Sequence, residues 1–297
     1  MGVWIRDTVK HTCEAKKLCA KRRFRMEYHA VEPAKTEANM HFSRISDIHN
    51  KLYESWNLVR YAGVTERTRL HNEHQVYSIN PIPLVLSESR LLNTLQHGEA
   101  SSISKRTKKQ IHKAVKTVLN HSRPRGIYRI LPVRREGNII TLGEETRFSS
   151  NKLKDMFEHC DRAVIFLTTV GKGVDRAVKK AMDRSSHFGF VMNFVAAAAA
   201  EEAAKYMHQH INDQLPDDET TTYRYSPGYC DWPLNDQRAL FDLIPSEEIR
   251  VELSETFLMA PSKSVSGVFG ICSEDTDIRV INHCLKCPRN HCPHRRK

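Results

Sequence analysis

The spacing of apolar positions changes character along the chain, and each change marks an element. After "INPIPLVLSESRLLNTL", helical periodicity runs over about 87–97 and 105–121, the second stretch placing Ile111, Val115, Val118 and Leu119 on one face. "GIYRILPVRREGNIITL" reads as two strands joined by a Glu-Gly turn. Ser149-Ser150 offers a cap for a short helix over 151–159. "RAVIFLTTVG" is a near-continuous apolar run with β-branched residues, the signature of an interior strand. A helix over 172–184 follows, then a long one over about 188–214. Beyond "RYSPGYCDWP", "LNDQRALFDLI" predicts a short helix, and "RVELSETFLM" and "KSVSGVFGIC" predict strands. Hairpins mixed with helices, without regular βαβ alternation, predict an α+β fold: a twisted, mainly antiparallel sheet with packed helices.

Residues 1–80 lack such patterning. They are basic and polar, and we expect an N-terminal extension with one helix near 44–60, followed by a folded domain over 81–283 and a Cys-rich basic tail over 284–297. The longest apolar run, Phe188 to Ala200, holds Asn193 and ends at Glu201-Glu202, so no membrane span is expected. The first residues hold no apolar signal core, and Arg6 stands where a myristoylated Met-Gly start needs Ser or Thr. A cytoplasmic protein is the expectation.

The net charge of +11 raises nucleic acid as a partner. Its distribution argues against one. Residues 1–30 and 284–297 each carry a net +5, which leaves +1 for everything between. A nucleic-acid-binding fold usually carries its positive charge on its own surface.

Three stretches hold candidate chemistry. In "TTYRYSPGYCDWP", the planar guanidinium of Arg224 can hold a carboxylate through two parallel hydrogen bonds. Gly228 lets the backbone approach a bound group, Pro227 stiffens the turn, and Tyr229 brings an aromatic face and a hydroxyl. Together they suit a small zwitterion with a flat ring; the plain alternative is a well-made turn whose arginine pairs with a neighbouring acid. In the long helix, Glu201 falls on the stripe of Phe190, Phe194, Ala197 and Ala204. A carboxylate there is paired, faces a ligand, or marks where the helix emerges into solvent. The five alanines at 196–200 would let another backbone or a flat ligand lie close. In the third stretch, Met259, Pro261, Ser264, Ser266 and Gly267 give a surface suited to core packing or to lining a groove.

Taken in order, these pieces resemble the activation domain of cobalamin-dependent methionine synthase, in its stand-alone version. The family pattern Arg-x-x-x-Gly-Tyr is met by Arg224 through Tyr229. The later strand pattern is met by Leu253-Ser254-Glu255-Thr256, Met259, Pro261 and Ser264-Val265-Ser266-Gly267, and the upstream helix by Glu201 with Tyr206-Met207-His208. The ordered set covers about 85–275. The resemblance implies an S-adenosylmethionine site that includes Ser226, in which Arg224 takes the methionine carboxylate, the Gly228 and Tyr229 backbone meets the adenosyl part, and Glu201 meets a polar group. It implies reductive reactivation of a partner's cobalamin, with methyl transfer from S-adenosylmethionine to cobalt: a methyltransferase-type activation component. The family's later tyrosine, about ten residues past Ser-Gly, has no match in "SEDTDIRV", and no corrinoid-binding Asp-x-His-x-x-Gly signature is present. The cobalamin would therefore ride on a corrinoid methyltransferase partner, a truncated methionine synthase or a similar protein.

Eight cysteines with no export signal are expected to be thiols or metal ligands and not disulfides. Cys284, Cys287 and Cys292 have the spacing of thiolates that converge on one metal or cluster, with Cys230 or Cys272 as fourth ligand. Both a [4Fe–4S] cluster and zinc fit the spacing. With zinc, the electron would come from a flavodoxin or ferredoxin. The alternative from another class is a non-catalytic, metal-stabilised module that docks on a corrinoid protein.

Overall fold

The computed structural model of the chain describes residues 75–95 and 103–273; the helix expected near 44–60 and the tail cysteines lie outside them. Nine strands appear among the described residues. They are β1 (Val76–Ile79), β2 (Arg125–Glu136), β3 (Ile139–Leu142), β4 (Thr146–Ser149), β5 (Cys160–Thr169), β6 (Glu219–Thr221), β7 (Glu252–Leu253), β8 (Met259–Ala260) and β9 (Ser264–Ser273). The helices are α1 (Glu88–Leu95), α2 (Lys105–His121), α3 (Asn151–Phe157), α4 (Lys172–Arg184), α5 (Ser186–Asn212) and α6 (Gln237–Asp242).

Seven strands form one sheet in the order β4-β3-β2-β5-β9-β6, with β1 added beside β2, and every pairing is antiparallel. This is the α+β fold expected. The long strand β2 serves two neighbours on one side: Gly126–Arg129 pairs with β1, and Val133–Glu136 pairs with β3. The apolar run read as an interior strand is β5, the middle strand between β2 and β9.

Period-two alternation sorts the side chains into two layers. Tyr128, Ile130, Val164, Phe166, Phe269 and Ile271 face α2, α4 and α5 in one core. Ile127, Leu131, Ile165, Leu167 and Val268 face a second core with α3, Trp232, Leu240, Ile244 and Val251. The alanine run of α5 lies in the first core, with Ala196, Ala199, Ala200 and Ala203 buried. Small side chains there bring the helix backbone close to its neighbours, which is the backbone alternative and not the flat ligand.

Some readings change. "RVELSETFLM" is not one strand: β7 pairs with β8 in a separate small hairpin. β1 and β6 are too short to leave an alternating pattern, and they take shape from their partners β2 and β9. Leu119 stays partly exposed at the end of α2, where Ala114 takes its place in the core. Cys160 and Cys272 form a disulfide, their Cα atoms 4.4 Å apart on paired positions of β5 and β9. This overturns the expectation of reduced thiols at these two positions. No described helix is long and apolar enough to cross a membrane.

Charge is segregated by layer. The exposed cations of α2 are Lys105, Arg106, Lys108, Lys109, Lys113 and Lys116, and the helix holds no acid. α4 adds five exposed lysines and arginines against Asp175 and Asp183. Residues 225–255, which build the other layer, hold seven acids against Arg238 and Arg250. The near-neutral sum read from the sequence hides this separation.

Candidate functional site

The turn at 224–232 is held against β9 at several points. Tyr225 exchanges two backbone hydrogen bonds with Val268, each 2.8 Å, and the Ser226 hydroxyl donates to the Ser266 carbonyl at 2.6 Å. Gly267 makes this approach possible. A Cβ at that position would stand 2.6 Å from the Tyr225 carbonyl oxygen and 2.8 Å from Ser226 Oγ. The Ser-Gly pair singled out in the sequence is thus the floor under the Arg-Tyr-Ser segment.

The turn then closes on itself. The Gly228 N–H donates to the Trp232 carbonyl at 2.8 Å, and the Trp232 N–H donates to the Tyr229 carbonyl at 3.0 Å. Gly228 has φ +89°, a backbone form that glycine adopts without steric cost. Cys230 also sits at positive φ, +48°, with an exposed free thiol. Tyr229 is exposed at the surface of the turn.

Asp231 fastens this turn to the rest of the layer. Its carboxylate accepts from the Ser150 hydroxyl at 2.9 Å and from the N–H groups of Asn151 and Lys152 at 2.7 and 3.3 Å. Ser150 meanwhile caps α3 as expected, accepting from the Leu153 N–H at 3.1 Å. The Tyr225 hydroxyl donates to the Tyr229 carbonyl at 2.9 Å, and its ring stacks on Trp232 at 5.6 Å. Burial, reinforced by Cys230 and Asp231, pushes this phenol well above its ordinary range and keeps it a donor. Sequence reading assigned no role to Tyr225, Asp231 or Trp232. The partners of Asp231 on α3 and of the Tyr225 backbone on β9 stand far away in the chain, so no local spacing announces those contacts.

Arg224 and Glu201 come together. Arg224 Nη2 lies 3.5 Å from Glu201 Oε2, with the arginine side chain 13% exposed and the glutamate 65% exposed. The plain alternative for the arginine, pairing with a neighbouring acid, is therefore met in this structure. The stripe of Phe190, Ala197 and Glu201 is the exposed face of α5, Phe190 being 64% exposed, while Ala204 turns into the core. Glu201 thus stands where this helix face meets the turn, at the rim of a nearly buried guanidinium.

Ser264 and Ser266 are satisfied inside the protein. The Ser264 hydroxyl hydrogen-bonds to Thr169 Oγ1 and to the Pro261 carbonyl, and that of Ser266 to Gln237 Oε1. Of the two alternatives for this stretch, packing is the one the structure supports at these serines.

Metal ligation gains no support among the described residues, where no group of three or more His, Cys, Asp or Glu gathers. Cys272 is bonded to Cys160, so its sulfur is not open to a metal; Cys230 stays as an exposed thiol. Cys284, Cys287 and Cys292 lie outside the described residues.

Residues 145–278 match the family "Vitamin B12 dependent methionine synthase, activation domain". This segment is of the activation-domain family. The match contains the α5 helix, the Arg224 turn and β9, and it begins after β1, α1, α2, β2 and β3. Among solved structures, the chain is similar to a crystal structure of the MetH reactivation domain bound to AdoHcy. The identity is 16%, with 68% of this chain and 79% of that chain covered at a TM-score of 0.48. No curated protein matches the chain.

Proposed function

We propose that this activation-domain protein binds S-adenosylmethionine at the Arg224 turn and reactivates a cobalamin carried by a partner. The observation that carries the reading is the seat of Arg224, a nearly buried guanidinium beside Glu201, at a glycine-closed turn inside the family segment. In the reaction, one electron first reduces cob(II)alamin to cob(I)alamin. The cobalt then forms a bond to the sulfonium methyl, the S–CH3 bond breaks, and S-adenosylhomocysteine leaves. Arg224 holds the amino-acid carboxylate, and Glu201 shifts from the guanidinium to the ligand's ammonium group. The exposed Tyr229 ring and the Gly228 backbone flank the adenosyl part. The partner is a corrinoid methyltransferase, and the electron comes from a flavodoxin or ferredoxin.

Calorimetric titration with S-adenosylmethionine, performed anaerobically, tests this reading. Replacing a charged hydrogen-bonding partner costs about 1.5–3 kcal/mol, so Arg224→Ala should weaken binding roughly 10- to 100-fold. Arg224→Lys should recover only part, since an ammonium cannot offer the paired donors of a guanidinium. Equal affinity in the wild type and both variants, with the fold intact by circular dichroism, would sink the assignment.

A further inference from the structure

The exposed side of α2 and α4 has no role in the ligand turn, and it is the most strongly charged surface the structure describes. α2 presents six lysines and arginines and no carboxylate; α4 presents five against two. One of those two, Asp175, is turned inward, accepting from the Ser262 N–H at 2.7 Å and from its hydroxyl at 2.9 Å. The neighbouring Glu88 is held by His112 at 2.8 Å. Lys108, Lys109 and Lys116 form no ion pair among the described residues. Both helices pack on α5 with their apolar sides, Ile111, Ala114, Val115 and Val118 from α2 and Val174 and Ala181 from α4. The cations are therefore held outward by the core itself, on rigid elements.

We propose that this face docks the carboxylate-rich surface of a protein partner. Charge complementarity selects the partner, and the opposite layer, where residues 225–255 carry a net −5, sharpens the choice. A protein so polarised orients an acidic partner toward α2 and α4 and repels it from the ligand turn. Nucleic acid is the poorer occupant. Neither helix carries a Phe, Tyr or Trp on which a base could stack, the two histidines of α2 are engaged by Glu88 and by the Thr117 carbonyl, and α2 has one arginine, Arg106, among its six cations. The lysines are point charges on flexible stems, suited to a fast, salt-sensitive protein encounter. At 17 and 13 residues, the helices give a face about 25 Å by 20 Å, the scale of a small protein–protein contact. The inference stands apart from the proposed function. It needs neither S-adenosylmethionine nor cobalamin, and α2 lies before the family segment that begins at 145.

The test uses the full chain with poly-L-glutamate as the acidic probe and a mixed-sequence duplex DNA as the competing class, each at low and near-physiological salt. The triple variant Lys108→Glu/Lys109→Glu/Lys116→Glu reverses charge on α2; Arg295→Glu/Arg296→Glu/Lys297→Glu reverses the same number in the C-terminal tail. We expect polyglutamate affinity to fall at least tenfold in the α2 variant and distinctly less in the tail variant. Unchanged affinity in the α2 variant, or a loss confined to the tail variant, would overturn the proposal. So would a loss of DNA affinity in the α2 variant as large as the loss for polyglutamate, which would make this a nucleic-acid face. S-adenosylmethionine titration of the same variant separates this failure from that of the ligand site, since Arg224 and its turn are untouched.

Discussion

On one side of the sheet, α2 and α4 hold eleven lysines and arginines at the surface; on the other, residues 225–255 carry seven carboxylates, and two of the best defined are bound inward. Asp231 caps α3 and carries the Arg224 turn with it. Asp236 accepts from Trp232 Nε1 at 3.1 Å, steadying the ring that stacks on Tyr225. Lys113 lies over the Phe188 ring, but Lys108, Lys109 and Lys116 of α2 have no comparable structural task. Charge in one layer builds the site, whereas charge in the other is left for a partner. Substitutions should therefore divide cleanly, with stability and ligand binding lost together on the acidic side and partner binding lost alone on the basic side.

The largest effect belongs to the floor of the turn. Gly267→Ala places a methyl 2.6 Å from the Tyr225 carbonyl, a backbone atom that cannot swing away as a side chain would. The turn must lift from β9, breaking one or both Tyr225–Val268 hydrogen bonds. Overpacking of this kind costs about 2–3 kcal/mol, which urea unfolding would measure. Calorimetry should find S-adenosylmethionine binding abolished in the same variant. A variant as stable as the parent that still binds would detach the ligand site from the turn.

Each layer also holds a tyrosine with a raised pKa, Tyr128 buried and Tyr225 half-buried, which gives a test by pH. Tyr128, on the helical side, is pushed by burial up to about 12, with a smaller contribution from Tyr77. Tyr225, on the other side, is shifted in the same direction. The unfolded chain releases each proton near pH 10, while the folded protein keeps it. Stability from Tyr128 is thus complete below pH 10 and is lost as pH rises through about 12, a total of about 2–3 kcal/mol. Denaturant unfolding between pH 9 and 12 should show this decline. Tyr128→Phe should remove part of it and Tyr225→Phe another part, because in each case the unfolded chain has released a proton that the folded protein still holds. A flat stability across the interval would contradict the burial of Tyr128.

Asp231 comes next. Its carboxylate accepts three hydrogen bonds at the start of α3, and Asp231→Ala should cost about 1–2 kcal/mol, the range of a lost helix cap. Binding should weaken less than in Gly267→Ala, because the β9 contacts survive. Comparing melting temperature with ligand affinity in one titration series would show whether the two losses track each other.

How much of this was legible beforehand follows from the range of each contact. Helices α2 and α4 were bounded correctly because their cores recur every three or four residues, and β5 because an apolar run flanked by helices has few other readings. Arg224, Gly228 and Gly267 were found as motif positions, yet that Gly267 lies beneath Tyr225 and Ser226 required the fold. Asp231 reaches Asn151 across 80 positions, and Cys160 reaches Cys272 across 112, so neither partnership leaves a trace in local spacing. The charge separation was hidden for another reason. Summation over 31–283 cancelled a basic layer against an acidic one, and only the assignment of helices to layers undoes that cancellation.

The smallest effect is the one that most sharply separates the layers. Reversing Lys108, Lys109 and Lys116 removes no hydrogen bond and no ion pair among the described residues, and all three side chains are exposed. A glutamate at each position also places a carboxylate among the remaining cations of α2, trading repulsion for attraction. Exposed pairs of this sort are worth a few tenths of a kcal/mol each. The triple variant should therefore unfold within about 0.5 kcal/mol of the parent, on the stabilising side at low salt, with the difference fading as salt screens it. Arg224-dependent ligand affinity should be unaltered. Were the variant instead destabilised as much as Asp231→Ala, these lysines would be holding the helical layer together. The contrast between a layer that spends its charge on structure and one that keeps it for a partner would then fail.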